Sequence, residues 1–491
     1  MRKEIDINAL PDDKFEFAQK DKVLKDTKFE TKQVGLFRDA MSRFAQNKGS
    51  VVAFAIILFL LLFSIITPFV SGFTPSQSDP YYTFCLPKCS WFEGSGFWDG
   101  TQKETVSMQK YYLYDSMGAI VSYTEGQDAF GNKEYYVVKD TYVKGCVYKT
   151  VTTSVFNQLV EYDNSISDPK DKILQPLVDL TWLEPLDTNA KQALYSRYQQ
   201  EANFDYKMDE KLRPILVNGQ LQKIYQTDAS GNYLYYEISG NGYSIRLNYD
   251  NYYVFLYGHK PQYLLGSDNQ GRDIMTRLAV GGRLSLILGI VVSFFNIIIG
   301  LIYGAIEGYY GGAADMIMER ISEILSEVPF MIVVTLFNLY LADKINVVFT
   351  LFFAFILTGW LGTASTVRMQ FYRYKNQEYV LAARTLGARD SRLIFKHILP
   401  NAIGPIITSS VLMVPGVIFS ESSLSYLKII DFSTGNMTSI GTMLSDGQSS
   451  FTTNPNLILW PALFISLLMI SFNIFGNGLR DAFNPQLRGA E

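Results

Sequence analysis

Apolar and polar positions along the chain separate into long blocks, and the apolar blocks predict membrane-spanning helices. Val51–Val70 runs for about 20 residues without a charge, enough to cross a hydrocarbon core of ~30 Å. After a long polar interval come Leu284–Ile306, Pro329–Ala342, Val347–Leu361, Ile403–Phe419 and Leu457–Phe475. Pro329–Ala342 is about 14 residues, short enough for an interfacial or re-entrant segment as well as a span. Its short link to the next run, Asp343–Asn346, favours a helical hairpin. Gly289 and Gly300 interrupt the second run, and Pro405, Pro415 and Gly416 the fifth; a bundle tolerates such residues when neighbours satisfy the freed backbone. The pattern predicts an α-helical polytopic membrane protein with six spans.

Charge then orients the chain. Arg38, Arg43 and Lys48 before the first span place the N-terminus inside, which puts the loop after the fourth span inside as well. That loop carries Arg368, Arg373, Lys375, Arg384, Arg389, Arg392 and Lys396, in agreement with the positive-inside rule. Arg272, Arg277 and Arg283 fall on the opposite side, so Asp273–Gly281 is expected to lie on the membrane surface as an amphipathic helix whose arginines snorkel. The expected organisation is a cytoplasmic tail (1–50), a first span (51–72), an extracellular domain (73–262), an interfacial segment (263–283), a five-helix core (284–480) and a cytoplasmic tail (481–491). The net charge of −4 averages two unlike parts, and no nucleic-acid partner is expected.

The polar interval is far longer than a connecting loop and reads as an inserted α+β domain. Glu134–Val138, Cys146–Val155, Tyr233–Ile238 and Tyr243–Leu256 alternate or cluster aromatic and β-branched residues, Gly240-Asn241-Gly242 is a hairpin turn, and Pro185–Phe204 reads as a helix capped by Asp187 or Thr188. The tyrosines serve either as strand filler or as a binding face. Cys85, Cys89 and Cys146 all fall here, where a disulfide can persist; Cys146 can join Cys85 or Cys89, or those two can close a small loop. With His259 distant and no acidic cluster beside the cysteines, no metal site is expected.

The most informative stretch is Glu378–Asn401, EYVLAARTLGARDSRLIFKHILPN, within the basic loop 368–401. Its first half predicts a helix with Val380, Ala383 and Leu386 on one side, ended by Gly387, since glycine readily takes the positive φ of a C-cap. A second helix begins at Asp390 or Ser391, presents Leu393, Ile394, His397 and Ile398 on one face, and stops at Pro400. Ala382 and Ala383 keep the first helix slim enough to enter a partner's groove, with Arg384 and Arg389 as a charged rim. His397 reads as a packing or contact residue rather than a proton relay. Glu421 can line a path or sit at a solvated helix end, and Glu307, Asp315, Glu319, Glu323 and Glu327 read as a wetted face. The chain holds no GxxxxGK[ST] phosphate loop, so it carries no ATP site of that type.

Ala382-Ala383, Gly387 and Ile398-Leu399-Pro400 resemble the docking loop of ATP-binding-cassette importer permeases, with Leu381 where that motif usually has a glutamate and Glu378 one turn earlier. His397–Asn401 (HILPN), Leu265–Asp273 (LGSDNQGRD), Gly308–Gly312 (GYYGG) and Gly478–Asp481 (GLRD) with Asn484-Pro485 are similar to segments of the dipeptide and oligopeptide branch, specifically its second, C-type permease. The resemblance covers residues 36–73 and 263–488; the size of the insert departs from it. It implies a type I permease fold, a second homologous permease, two ATPase subunits that hold ATP and Mg and dock on Glu378, Ala382, Ala383, Arg384, Gly387, Arg389, His397 and Pro400, an extracellular peptide-binding protein, and peptide as substrate in a lipid membrane. Import of nickel or another small solute is the alternative within the same branch. The chain itself is expected to bind no cofactor and to be no enzyme.

Overall fold

The computed structural model describes residues 36–127, 131, 133–210, 212–432 and 437–483. The tail before residue 36 and the Asn484-Pro485 signature lie outside the described residues. An amphipathic helix α1 (Leu36–Gln46) leads into α2 (Lys48–Val70), whose first turn is capped by the Asn47 side chain. Ala40 and Phe44 of α1 pack on Leu479 and Ala482 near the end of the last helix.

The insert follows, and it is α+β in the structure. It comprises β1 (Thr101–Ser107), α3 (Met108–Met117), β2 (Ile120–Gln127), β3 (Lys133–Asp140), β4 (Cys146–Thr152), α4 (Thr153–Ser165), β5 (Leu174–Gln175) and α5 (Thr188–Gln200), then β6 (Leu216–Val217), β7 (Gln220–Leu221), β8 (Tyr236–Ser239), β9 (Gly242–Asn248) and α6 (Tyr249–Tyr257). One antiparallel sheet has the order β1-β3-β2, a second β4-β9-β5 with β8 also on β9, and β6 pairs β7. Asp187 caps α5 and Ser239 pairs with Gly242 across the two-residue turn, as the sequence suggested. Tyr243–Leu256 is not one strand: Asn248 accepts from the Asn251 N–H and starts α6, burying Tyr249, Tyr252 and Tyr253 at helical spacing. Similarly Thr152 ends β4 by capping α4.

A buried ion pair joins the parts of the insert. Arg246 of β9, 2% exposed, donates to Asp205 (3.1 Å) and to the carbonyls of Ala202 (2.9 Å) and Pro176 (3.0 Å). Asp205 also accepts from Lys223 (2.5 Å), Tyr225 (2.8 Å) and Ser116 (2.9 Å). Burial pulls the Asp205 carboxyl upward, but Arg246 and Lys223 outweigh it and hold it below the usual carboxylate range. Cys85, Cys89 and Cys146 are unpaired in this structure. Cys85 is buried with its thiol donating to the carbonyls of Thr141 (3.4 Å) and Tyr82 (3.5 Å), and burial pushes its pKa up.

The helical bundle begins with α7 (Ile274–Tyr310) and α8 (Gly312–Ser326), then α9 (Phe330–Ile345), α10 (Val347–Gly359), α11 (Leu361–Tyr374) and α12 (Glu378–Thr385). It continues through α13 (Asp390–Arg392), a π-helical turn (Leu393–Ile398), α14 (Leu399–Val411), α15 (Met413–Tyr426), α16 (Ile440–Gln448) and α17 (Asn456–Phe483). Among the described residues five helices are long and apolar enough to cross a membrane, or six if α8 and α9, bent by 73°, count as one broken span. The short third run is thus the one whose crossing depends on a bend.

Gly289 and Gly300 do not interrupt α7. They let other helices close in. A Cβ at Gly289 would lie 2.7 Å from an Ile418 side-chain atom, and Cβ atoms at Gly300, Gly304 and Gly308 would fall 2.6, 2.2 and 2.6 Å from atoms of Thr363, Ala364 and Phe371. The small residues let the α7 and α11 backbones approach, the means by which apolar helices associate in lipid.

Candidate functional site

The stretch Glu378–Asn401 folds as two short helices around a tight bend. Gly387 has φ +82°, and the Ala388 N–H returns to the Ala383 carbonyl (3.0 Å) while the Gly387 N–H bonds to that of Arg384 (2.9 Å), a double closure typical of a glycine C-cap. Val380, Leu393 and Ile398 are fully buried and join Tyr309, Val367, Phe371, Ala402 and Ile406 in one core, so the inner face of the loop is fixed to the ends of α7 and α11. The Tyr309 hydroxyl donates to Asp390 (2.5 Å), Arg384 lies over the Tyr309 ring (5.8 Å to its centroid), and Asn401 donates to the Tyr379 hydroxyl (3.1 Å). Glu378, Ala382, Arg384, Gly387, Arg389 and Pro400 are exposed, while Ala383 and His397 are half-buried.

Two expectations fail here. Leu386 does not share the inner face with Val380 and Ala383: α12 ends at Thr385, helical phase is lost at the cap, and Leu386 is 89% exposed. Phe395 (67%), Leu381 (43%) and Tyr379 (42%) are exposed as well, so the loop leaves several large apolar side chains uncovered. Pro400 does not end the second helix. The π-helical turn widens the preceding ring, the Leu399 N–H bonding to Ile394, and α14 proceeds with Pro400 in its first turn, where a missing N–H costs little.

The acidic residues beside the loop are only partly a wetted face. Arg368 of α11 sits 2.7 Å from Asp315, 3.1 Å from Glu319 and 3.4 Å from Glu307, whose Oε1 is buried without a hydrogen bond. The Tyr372 hydroxyl also donates to Asp315 (2.6 Å), and Lys375 donates to the Gly308 carbonyl (2.9 Å). Glu323 pairs with exposed Arg320. Sequence spacing could not show a cluster whose centre is about 50 residues away on another helix.

At the other end of α7, residues 263–283 do not form a surface helix with snorkelling arginines. Asp273 caps α7 by accepting from the Thr276 N–H (2.8 Å) and hydroxyl (2.6 Å), and Arg277 lies within α7, 2% exposed. Arg277 pairs with Asp268 (2.5 Å) and Asp446 (3.1 Å) and donates to Thr438 (3.2 Å); Arg272 pairs with Asp268 (2.8 Å) and Asp446 (3.5 Å). The same segment carries the insert, since the Ser267 hydroxyl accepts from the Cys85 N–H (2.8 Å) and the Phe84 N–H donates to Asp268 (3.1 Å). Within the bundle, Glu421 is 0% exposed and accepts from Ser285 (2.6 Å) and Ser425 (3.0 Å), so it is not a solvated helix end.

Residues 35–87 match the N-terminal TM domain of oligopeptide transport permease C, and residues 296–489 match the binding-protein-dependent transport system inner membrane components. Over 223 residues the chain is 45% identical to the oligopeptide transport system permease protein OppC of Bacillus subtilis (strain 168), which covers 45% of this chain and 72% of that protein. The chain belongs to the C-type permeases of ABC importers. This permease is also 42% identical over 224 residues to the dipeptide transport system permease protein DppC of the same organism, covering 45% of the permease and 68% of the relative. A chain of the MetNI methionine ABC transporter in an inward facing conformation aligns loosely, at 16% identity and a TM-score of 0.35, over 43% of the permease and 98% of that chain. Neither family match reaches residues 88–295, which contain most of the insert.

Proposed function

We propose that this permease forms one half of the translocation path of an ATP-driven importer of oligopeptides or dipeptides, the substrates for which its relatives are named. A second homologous permease supplies the other half, two ATPase subunits holding ATP and Mg dock on the loop at Glu378–Asn401, and an extracellular binding protein delivers peptide. In this reading the termini and the loop face the cytoplasm, the insert lies outside the cell, and the chain performs no catalysis. The observation that carries it is the construction of the loop. Val380, Leu393 and Ile398 anchor its inner face in the bundle, while Leu381, Leu386 and Phe395 project outward with Arg384 and Arg389 beside them. An anchored element with exposed apolar side chains and a charged rim suits a permanent protein contact. Closure of the ATPase pair then moves the loop and biases the bundle between two access states. Glu421 serves this path as a buried acid held by α7 and α15 hydroxyls rather than as a lining charge.

The test is a Leu386→Asp, Phe395→Asp double variant. The permease should insert normally, fail to co-purify with ATPase subunits, and lose uptake of labelled peptide and sensitivity to toxic peptide analogues. Retained co-purification removes the docking assignment. Uptake of nickel without peptide by the wild-type complex replaces the substrate.

A further inference from the structure

Ser90–Trp98, reading SWFEGSGFW, takes no part in the coupling just described, yet it is a strongly exposed aromatic segment of the insert. Trp91 is 90% exposed, Phe97 65% and Phe92 42%, with Glu93 the only charge among them. Exposed apolar side chains of this size grouped in one place mark a surface that meets something apolar.

The segment is an ordered hook. Ser90–Phe92 form a 3₁₀ turn, the Ser95 hydroxyl bonds to the Phe92 and Phe97 carbonyls (2.7 and 2.8 Å), and the Gly96 N–H donates to Asp99 (2.8 Å). Phe97 meets Trp98 edge-on at 5.6 Å. Trp98 stacks on Trp460 of α17 at 5.5 Å, and its indole N–H donates to the Leu264 carbonyl.

The level of Trp460 fixes the level of the hook. Trp460 lies four residues after Asn456, the first residue of α17, so only about 6 Å along that span. From Leu459 onward, Leu459, Leu463, Leu467, Ile470 and Ile474 are exposed along one side of α17, an apolar stripe suited to lipid. The hook continues this stripe: a cleft of about 370 Å³ between them is lined by Leu86, Phe97, Trp98, Leu459 and Trp460. Aromatic rings with a polar edge favour the boundary between headgroups and acyl chains.

We propose that the Ser90–Trp98 hook inserts into the membrane interface beside the first turns of α17, with Trp91 and Phe97 at headgroup level and a phospholipid chain in the cleft beneath Trp98. The insert is then tied to the bilayer as well as to the segment that leads into α7. The proposal rests on the membrane placement of α17 and is independent of the substrate.

The complex is reconstituted in phosphatidylcholine vesicles brominated either near the headgroup or deep in the acyl chains. Trp91 touches little else, so Trp91→Phe should fold and melt as the wild type, and the difference between the two emission spectra isolates Trp91. The expected result is at least a twofold quenching of that difference by shallow bromines and a smaller effect from deep ones. A Trp91 signal untouched by either lipid overturns the proposal. So does quenching in the isolated permease that vanishes in the assembled complex, which would place a protein partner on the hook.

Discussion

The two ends of α7 each carry an arginine–carboxylate cluster, and they are built on opposite plans. At the insert's end two arginines, Arg272 and Arg277, face two aspartates, Asp268 and Asp446, with Arg277 and Asp268 almost wholly buried. Near the basic loop one arginine, Arg368, faces Glu307, Asp315 and Glu319, and its side chain remains 24% exposed. Balanced charge built on a pair held out of water, Arg277 and Asp268, has one good geometry; an excess of acid around a partly wet cation has several of similar energy. The difference teaches where the molecule is fixed and where it can shift. The insert is attached at the fixed end, whereas the loop is attached at the adjustable one.

Four substitutions break or sharpen this contrast. Arg277→Met has the largest expected effect, about 3–5 kcal/mol, because Asp268 loses the fully buried one of its two arginines; a thermal melt of the purified protein should show it, with Asp268→Asn restoring part of the loss. Arg368→Gln should cost less, ~1–3 kcal/mol, and should lower uptake per ATP hydrolysed more than it lowers the melting temperature. Equal melting losses for the two arginines would end the comparison. Gly387→Val forces a β-branched residue to positive φ, a local strain of roughly 1–2 kcal/mol, and should weaken ATPase co-purification while membrane insertion is unchanged. The smallest effect belongs to Arg320→Ala: its pair with Glu323 is exposed, and a shift beyond about 0.5 kcal/mol in the melt would show that exposure is a poor guide in this bundle.

The same contrast separates what could be read from the sequence from what could not. Apolar runs, the Gly387 cap, the Asp187 cap and the Ser239–Gly242 turn depend on residues within a few positions of each other, and each was legible. Arg277 was misplaced because its partner Asp446 is 169 residues away and no local pattern announces an ion pair between α7 and α16. Tyr249–Tyr257 read as strand because tyrosine, valine and phenylalanine favour strands, while the burial of Tyr249, Tyr252 and Tyr253 obeys a helical period. In the basic loop the anchored residues Val380, Leu393 and Ile398 followed amphipathic spacing. Leu386 did not, because it lies one residue past the end of the helix that set the spacing.

The π-helical turn before Pro400 has a mechanical consequence. By absorbing the proline it leaves Asp390–Tyr426 as 37 residues of nearly unbroken helix, on the order of 55 Å from the bend of the basic loop to the region of Glu421 and beyond. Such a rod needs no joint at the membrane surface. In the proposed coupling a displacement imposed at Arg389 reaches the far leaflet as the swing of a lever, which meets α7 where Ile418 lies against Gly289.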